Sequence, residues 1–186
     1  MNNKIIFLRH AKTKVDKALP IADWFLTDGG VEHAEEVSSD PIFDNVDLIF
    51  ASAERKAVDT AKPIAERLNK EIIQVENLGE IKRPNAEKIT LEEYKRLKSV
   101  VFSDFDKSES GWETVNHTLN RFSKAVEEID KKYENKVILI VAHGTVMSLY
   151  FANVQGKMNE LFSRWKSLGF CEWGIIENGK VVKDLV

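Results

Sequence analysis

The stretch Lys4-Ile5-Ile6-Phe7-Leu8-Arg9-His10 decides how the rest of the chain is read. Ile5 to Leu8 run apolar without alternation, then give way to Arg9 and His10. A short, unbroken apolar run is the pattern of a strand buried on both faces. Polar groups just beyond its carboxyl end stand where open α/β sheets bind ligands. Three more runs have the same character: Asp47–Ala51, Glu71–Val75 and Val137–Ala142. The last of them also ends on a histidine, in Ala142-His143-Gly144.

Helix-like segments separate these runs. Val31 to Val37 follows Asp28-Gly29-Gly30. Ala53 to Asn69 carries Ala57, Ala61, Ile64, Ala65 and Leu68 on one face, and Pro63 predicts a kink or an early break in it. Cys171–Ile176 and Lys180–Asp184 flank Glu177-Asn178-Gly179, the signal of a hairpin. Alternating strands and helices predict an α/β fold of three layers, a mostly parallel central sheet with helices on both faces. The expected organisation is a single domain over residues 1–186. The stretch at about 81–112 falls outside the alternation, holds balanced charge, and is expected to form a lid-like insertion. Thr90-Leu91-Glu92-Glu93 starts a helix within it, and Ser110-Gly111-Trp112-Glu113 reads as a second capping box.

Composition narrows the function classes. The 186 residues are 43% hydrophobic and 31% charged, enough for one sizeable core. The net charge of −3 argues against nucleic acid or an anionic membrane as partner. Only four apolar residues precede Arg9, whereas a secretory leader needs roughly 7–15. No run approaches the roughly 18 residues of a membrane span, so the expected location is the cytoplasm. The lone Cys171 excludes an internal disulfide and a multi-thiolate metal site. No His-x-x-x-His pair, Walker loop or Gly-x-Gly-x-x-Gly occurs, so neither a metal nor a cofactor is expected. No feature points to a particular oligomeric state.

The predicted topology brings chemistry to one sheet edge. Arg9 and His10 end the first run, Ser52 ends the second with Arg55 and Lys56 close behind, and His143 ends the fourth. Helix N-termini and guanidinium forks both favour phosphate. His33 and His117 read as solvated helix residues.

Phe7-Leu8-Arg9-His10-Ala11-Lys12-Thr13 resembles the Arg-His-Gly motif of the histidine phosphatase superfamily, the phosphoglycerate-mutase-like fold. Phe25-Leu26-Thr27-Asp28-Gly29-Gly30 is similar to its Leu-Thr-x-x-Gly segment. Ala51-Ser52-Ala53-Glu54-Arg55-Lys56-Ala57-Val58-Asp59-Thr60-Ala61 resembles its second basic motif. Leu78-Gly79-Glu80 resembles the Leu-x-Glu of the proton donor, and Ile140-Val141-Ala142-His143-Gly144 the second histidine motif. Five short motifs in order make a specific match along nearly the whole chain.

The resemblance implies a metal-independent phosphatase that hydrolyses phosphate monoesters through a phosphohistidine on His10. Glu80 would protonate the leaving oxygen and then deprotonate water, which asks for a raised pKa. Protonated His143, Arg9 and Lys56 would stabilise the phosphoryl charge, and Thr13 and Gly144 belong to the same phosphate-binding motifs. Family register selects Lys56 over Arg55, with Ser52 capping the helix. The implied partner is a small phosphorylated substrate or a phosphoprotein. Two other readings stand beside it: a phosphoglycerate-mutase-type phosphotransferase, and a catalytically weak phospho-ligand-binding protein. Ala11 in place of Gly, Asp16 in place of Asn and Lys56 in place of Arg depart from the family pattern. The extra carboxylate of Asp16 would repel phosphate or point away.

Overall fold

The computed structural model describes residues 2–186. Its order of strands follows from which runs are buried on both faces. The six-stranded sheet runs β3-β2-β4-β1-β5-β6, with β1 (Lys4–Arg9), β2 (Leu48–Ser52), β3 (Ile72–Val75), β4 (Val137–Ala142), β5 (Trp173–Glu177) and β6 (Lys180–Lys183). β1, β2, β3 and β4 are mutually parallel, while β5 pairs antiparallel with β1 and β6 with β5. The hairpin between β5 and β6 turns through Asn178 at φ 50° and Gly179 at φ 71°. Two consecutive left-handed residues suit the tight two-residue connection that the sequence predicts there.

Successive side chains of β1 point to opposite faces, and both faces are dry. Ile5 and Phe7 pack with Phe50, Ile140, Phe122, Met147 and Phe151. Ile6 and Leu8 pack with Ile49, Val141, Ala57, Ala61 and Ile64. The helices are α1 (Asp28–Ser38), α2 (Arg55–Leu68), α3 (Leu91–Ser103), α4 (Val115–Lys132), α5 (Gly144–Gln155) and α6 (Leu161–Ser167). The three-layer α/β arrangement expected from the sequence is the one observed.

Local signals are corrected at four places. α2 runs unbroken through Pro63 and stops only at Asn69, which is left-handed at φ 50°. A mid-helix proline costs about 3 kcal/mol. Burial of Ala57, Ala61, Ile64 and Ala65 on the opposite side offsets that cost. α1 begins at Asp28, earlier than expected, because the Thr27 side chain accepts from Gly30 N. Gly30 is required there, since a Cβ would lie 2.2 Å from the Lys12 carbonyl oxygen. Ser110 caps nothing: α4 is capped by Thr114, which accepts from His117 N. Ser52 does not cap α2 either. Its Oγ accepts from Glu54 N at 3.2 Å, and the residue at the cap position is Glu54.

The 81–112 segment carries a small core of its own. Ile81, Leu97, Val101, Phe102 and Trp112 pack against Val115, Leu149 and Leu161. α3 starts where the Thr90 side chain accepts from Glu93 N at 3.1 Å.

Candidate active site

Strand register builds the centre of the site. β1 and β4 pair residue for residue from Lys4↔Val137 to Arg9↔Ala142. His10 and His143 therefore leave the sheet side by side, and His10 N donates to the Ala142 carbonyl at 2.9 Å. Their ring centroids lie 5.1 Å apart. β2 adds Ser52 at the same edge through its pairing with β4. Beyond it α2 begins and turns Lys56 inward and Arg55 outward.

His10 is held in one useful tautomer. Its Nδ1 lies 2.8 Å from the Ala11 carbonyl oxygen, which can only accept, so Nδ1 carries the proton. The Nε2 lone pair is thereby left for a nucleophile's role. Burial lowers the pKa of His10 well below 6.5, and His143, Arg9 and Lys56 push it the same way. Burial brings His143 down to about 4, against the upward pull of Glu54 and Glu80. Without a bound anion, burial outweighs the carboxylate neighbours of His143 and disfavours the cationic form that the resemblance implies for it.

The fixed cations are Arg9 and Lys56. Arg9 donates through Nη1 to the Leu168 carbonyl and stacks 4.3 Å over Phe170, while its buried Nε has no partner. Gly144 is what admits it: a Cβ there would lie 3.1 Å from the guanidinium carbon. Lys56 is 2% exposed. Its Nζ donates to the Ile21 carbonyl at 2.7 Å and to Glu54 Oε2. Glu54 is the residue the sequence reading passed over. Its Oε1 accepts from Glu80 N at 2.8 Å and lies 3.4 Å from His143 Nε2, close but without hydrogen-bond geometry. Glu54 therefore occupies the space between Lys56 and His143.

Glu80 stands beside this group, and its protonation state is the reverse of the expected one. Its Oε1 accepts from Ile81 N at 2.8 Å and its Oε2 from Thr145 N at 3.1 Å, in the first turn of α5. Burial alone would raise its pKa, but Lys98 and Arg83 outweigh burial and hold the carboxyl far below the ordinary range. Lys98, which no sequence motif flagged, is completely buried. Its Nζ donates to Thr145 Oγ1 and faces the rings of Phe102, Trp165 and Tyr94 at 5.0, 5.1 and 5.9 Å. Burial lowers its pKa to about 7, against the pull of Glu80. Arg9, Lys56, Arg83 and Lys98 against Glu54 and Glu80 leave the site with an excess of positive charge.

Other residues singled out in the sequence stand elsewhere. Arg55 is exposed, pairs with Asp59 at 3.4 Å and lies over Phe25, so it is not brought to the histidines. Thr13 pairs with Leu26 in an isolated bridge of the loop after β1. The Asp16 carboxylate is tied into its own turn, accepting from Ala18 N at 2.9 Å. Glu113 is held by Arg121 at 2.9 Å, by Lys82 N and by His117, a structural role without the capping box. His33 is exposed on α1, and His117 is exposed on α4. Among the described residues no three His, Cys, Asp or Glu side chains stand where they could hold a metal ion. No described helix is long and apolar enough to cross a membrane.

A cavity of about 780 Å³ opens in front of Glu54 and Glu80 and is bordered by Ile21, Ile81, Lys82 and Arg83. His10, 7% exposed, is not among the residues that line it.

The family model of the histidine phosphatase superfamily (branch 1) matches residues 5–183 of the chain. Among characterised relatives, phosphoserine phosphatase 1 of Hydrogenobacter thermophilus is 24% identical over 161 residues, spanning 82% of this chain and 76% of the relative. A mutant phosphoserine phosphatase of Entamoeba histolytica, solved in complex with phosphoserine, superposes with a TM-score of 0.79 at 24% identity, covering 97% of this chain and 94% of its own. A mycobacterial glucosyl-3-phosphoglycerate phosphatase superposes with a TM-score of 0.77 at 18% identity, over 94% of this chain and 90% of its own. At these identities the solved structures speak for the fold.

Proposed function

The chain belongs to the histidine phosphatase superfamily, branch 1, and from that premise we propose that it hydrolyses small phosphate monoesters through a phosphohistidine formed on His10. The observation that carries this reading is the pairing of two imidazoles, 5.1 Å apart, at the ends of adjacent parallel strands, with His10 Nδ1 2.8 Å from the Ala11 carbonyl oxygen.

In the first step the Nε2 lone pair attacks phosphorus and the bond from phosphorus to the ester oxygen breaks. Charge spreads over the equatorial oxygens, where Arg9 Nε and Lys56 Nζ offset it. Glu80 gives its proton to the leaving oxygen. In the second step water attacks phosphorus, its proton passes to Glu80, the N–P bond breaks and phosphate departs. Glu80 is ionised in the ligand-free site, the form the second step uses. A phosphate ester docking as its monoanion raises the pKa of Glu80 by like-charge repulsion and passes it the proton that the first step delivers to the leaving oxygen. Glu54 yields its place between Lys56 and His143 to the phosphoryl group. The 81–112 segment acts as the cover of the site, contributing Ile81, Lys82 and Arg83 to the cavity wall. The relatives named as phosphoserine and glucosyl-3-phosphoglycerate phosphatases support a small phosphorylated organic molecule as substrate.

Hydrolysis of an aryl phosphate by the purified chain tests the reading. The wild type should release phosphate, and His10→Ala should not. Undiminished turnover by His10→Ala would overturn it.

A further inference from the structure

The cavity in front of Glu80 does not end at Arg83. It continues into a second chamber of about 390 Å³, and Lys17, Ile21, Arg83 and Glu87 border both. The second chamber is walled by hydrocarbon. Ile21, Trp24, Ala86, Ile89 and Tyr94 line it, with Val15 and Leu91 at its edge. Val15 and Leu91 are 62% and 67% exposed, the two most exposed large apolar side chains among the described residues. Apolar groups left in water around a concave site mark a place where something apolar docks. The Trp24 ring is fixed for this purpose: Nε1 donates to the Asp16 carbonyl at 2.8 Å, leaving its carbon face to the chamber.

The junction between the chambers is charged. Among the described residues, the one hydrogen bond of the Arg83 guanidinium runs to the Ile81 carbonyl at 3.4 Å, and it has no carboxylate within ion-pair distance. A planar fork with free donors takes a carboxylate in two parallel hydrogen bonds. Glu87 borders the same junction, and its nearest cation is Lys88 at 3.9 Å.

Building on the phosphatase reading above, we propose that the substrate is the phosphate ester of a hydroxy acid with an apolar body. The phosphoryl group enters at Glu80, the carboxylate rests on Arg83, and the apolar body fills the chamber beside Trp24. Selectivity then separates into two independent parts, one for the carboxylate and one for the hydrocarbon.

The test compares three esters whose leaving oxygens are alike: 2-phospholactate, 2-phospho-3-phenyllactate, and the neutral amide of the latter. For the wild type, kcat/KM for the phenyllactate ester should exceed that for each of the others by about tenfold or more. Arg83→Gln should erase the preference over the amide and keep the preference over lactate. Trp24→Ala should do the opposite. Leu91→Ser, at an exposed position, should lower the hydrocarbon preference if Trp24→Ala does not fold. If the wild type treats the three esters alike, or if the preferences survive in these variants, the proposal fails. In either case phosphate found on His10 leaves the phosphatase reading intact, whereas no turnover of any ester and no phosphate on His10 removes both.

Discussion

Replacing Lys98 by methionine should alter how stability depends on pH. The ammonium is completely buried among Phe102, Trp165, Tyr94 and Thr145. Burial, partly relieved by Glu80, takes its pKa from 10.5 to about 7. At about 1.4 kcal/mol per tenfold, that fall is worth roughly 5 kcal/mol of disfavoured charge. Below about pH 7 the folded and unfolded chains both hold the proton, so the penalty is present in full. From about 7 to 10.5 the unfolded chain keeps a proton that the folded chain has released, so stability climbs with pH. Methionine removes this climb. It also strands the Thr145 hydroxyl, at a cost of about 1–2 kcal/mol that varies little with pH. The variant should therefore be more stable than wild type by about 3 kcal/mol at pH 6.5, and the difference should shrink and change sign towards pH 10. Denaturant unfolding followed by tryptophan fluorescence at several pH values reads this directly. Parallel curves for the two proteins from pH 6.5 to 10 would show that Lys98 does not carry a suppressed charge, and the account of Glu80 would lose its main cation.

Three further outcomes follow from the same site. Glu80→Gln should slow turnover of an ester with a poor leaving group by about 10²–10⁴-fold, since both proton transfers run through that carboxyl; unchanged turnover would assign the proton to another group. Lys56→Ala should cost about 10²-fold or more in kcat, while Arg55→Ala, which removes an exposed pair with Asp59, should change activity little; the reverse order would shift the basic motif by one residue. Because burial holds His10 and His143 below 6.5, the acid limb of kcat/KM should lie well under pH 6.5. Stability should fall over the same acidic range, as the unfolded chain takes up protons that the folded histidines refuse; an acid limb at or above pH 6.5 would mean that His10 is not kept neutral by burial.

The parts of the fold that were legible in the sequence are those set by burial on both faces. Ile5–Leu8 and Val137–Ala142 have no polar side to show, and they form the centre of the sheet. The hairpin was legible because Asn178-Gly179 demands left-handed backbone. Pro63 misled because a local penalty says nothing of the core that α2 buries on its other side. The Ser110 box misled because the serine is left-handed, at φ 53°, and Thr114 four residues on is the better cap. At the site, the strand ends pointed to His10 and His143 and the family resemblance to Glu80, but neither could give their protonation. For the histidines that depends mainly on burial, and for Glu80 on Lys98 and Arg83, which arrive from the insertion. Lys98 did leave a trace: it sits within the apolar stripe Tyr94, Leu97, Val101, Phe102, where a lysine has no ordinary reason to be. Glu54 left none, because nothing in a short motif shows that a carboxylate will turn towards the lysine two residues on.

The central claim is that His10 carries the phosphoryl group. Rapid quenching of the full chain during turnover of an aryl phosphate, followed by peptide mass spectrometry, tests it most directly. The account predicts one phosphoryl group on His10, labile to acid and stable to base, accumulating in Glu80→Gln and absent from His10→Ala. Phosphate on a different residue, or steady turnover with His10 unmodified at every quench time, would contradict it.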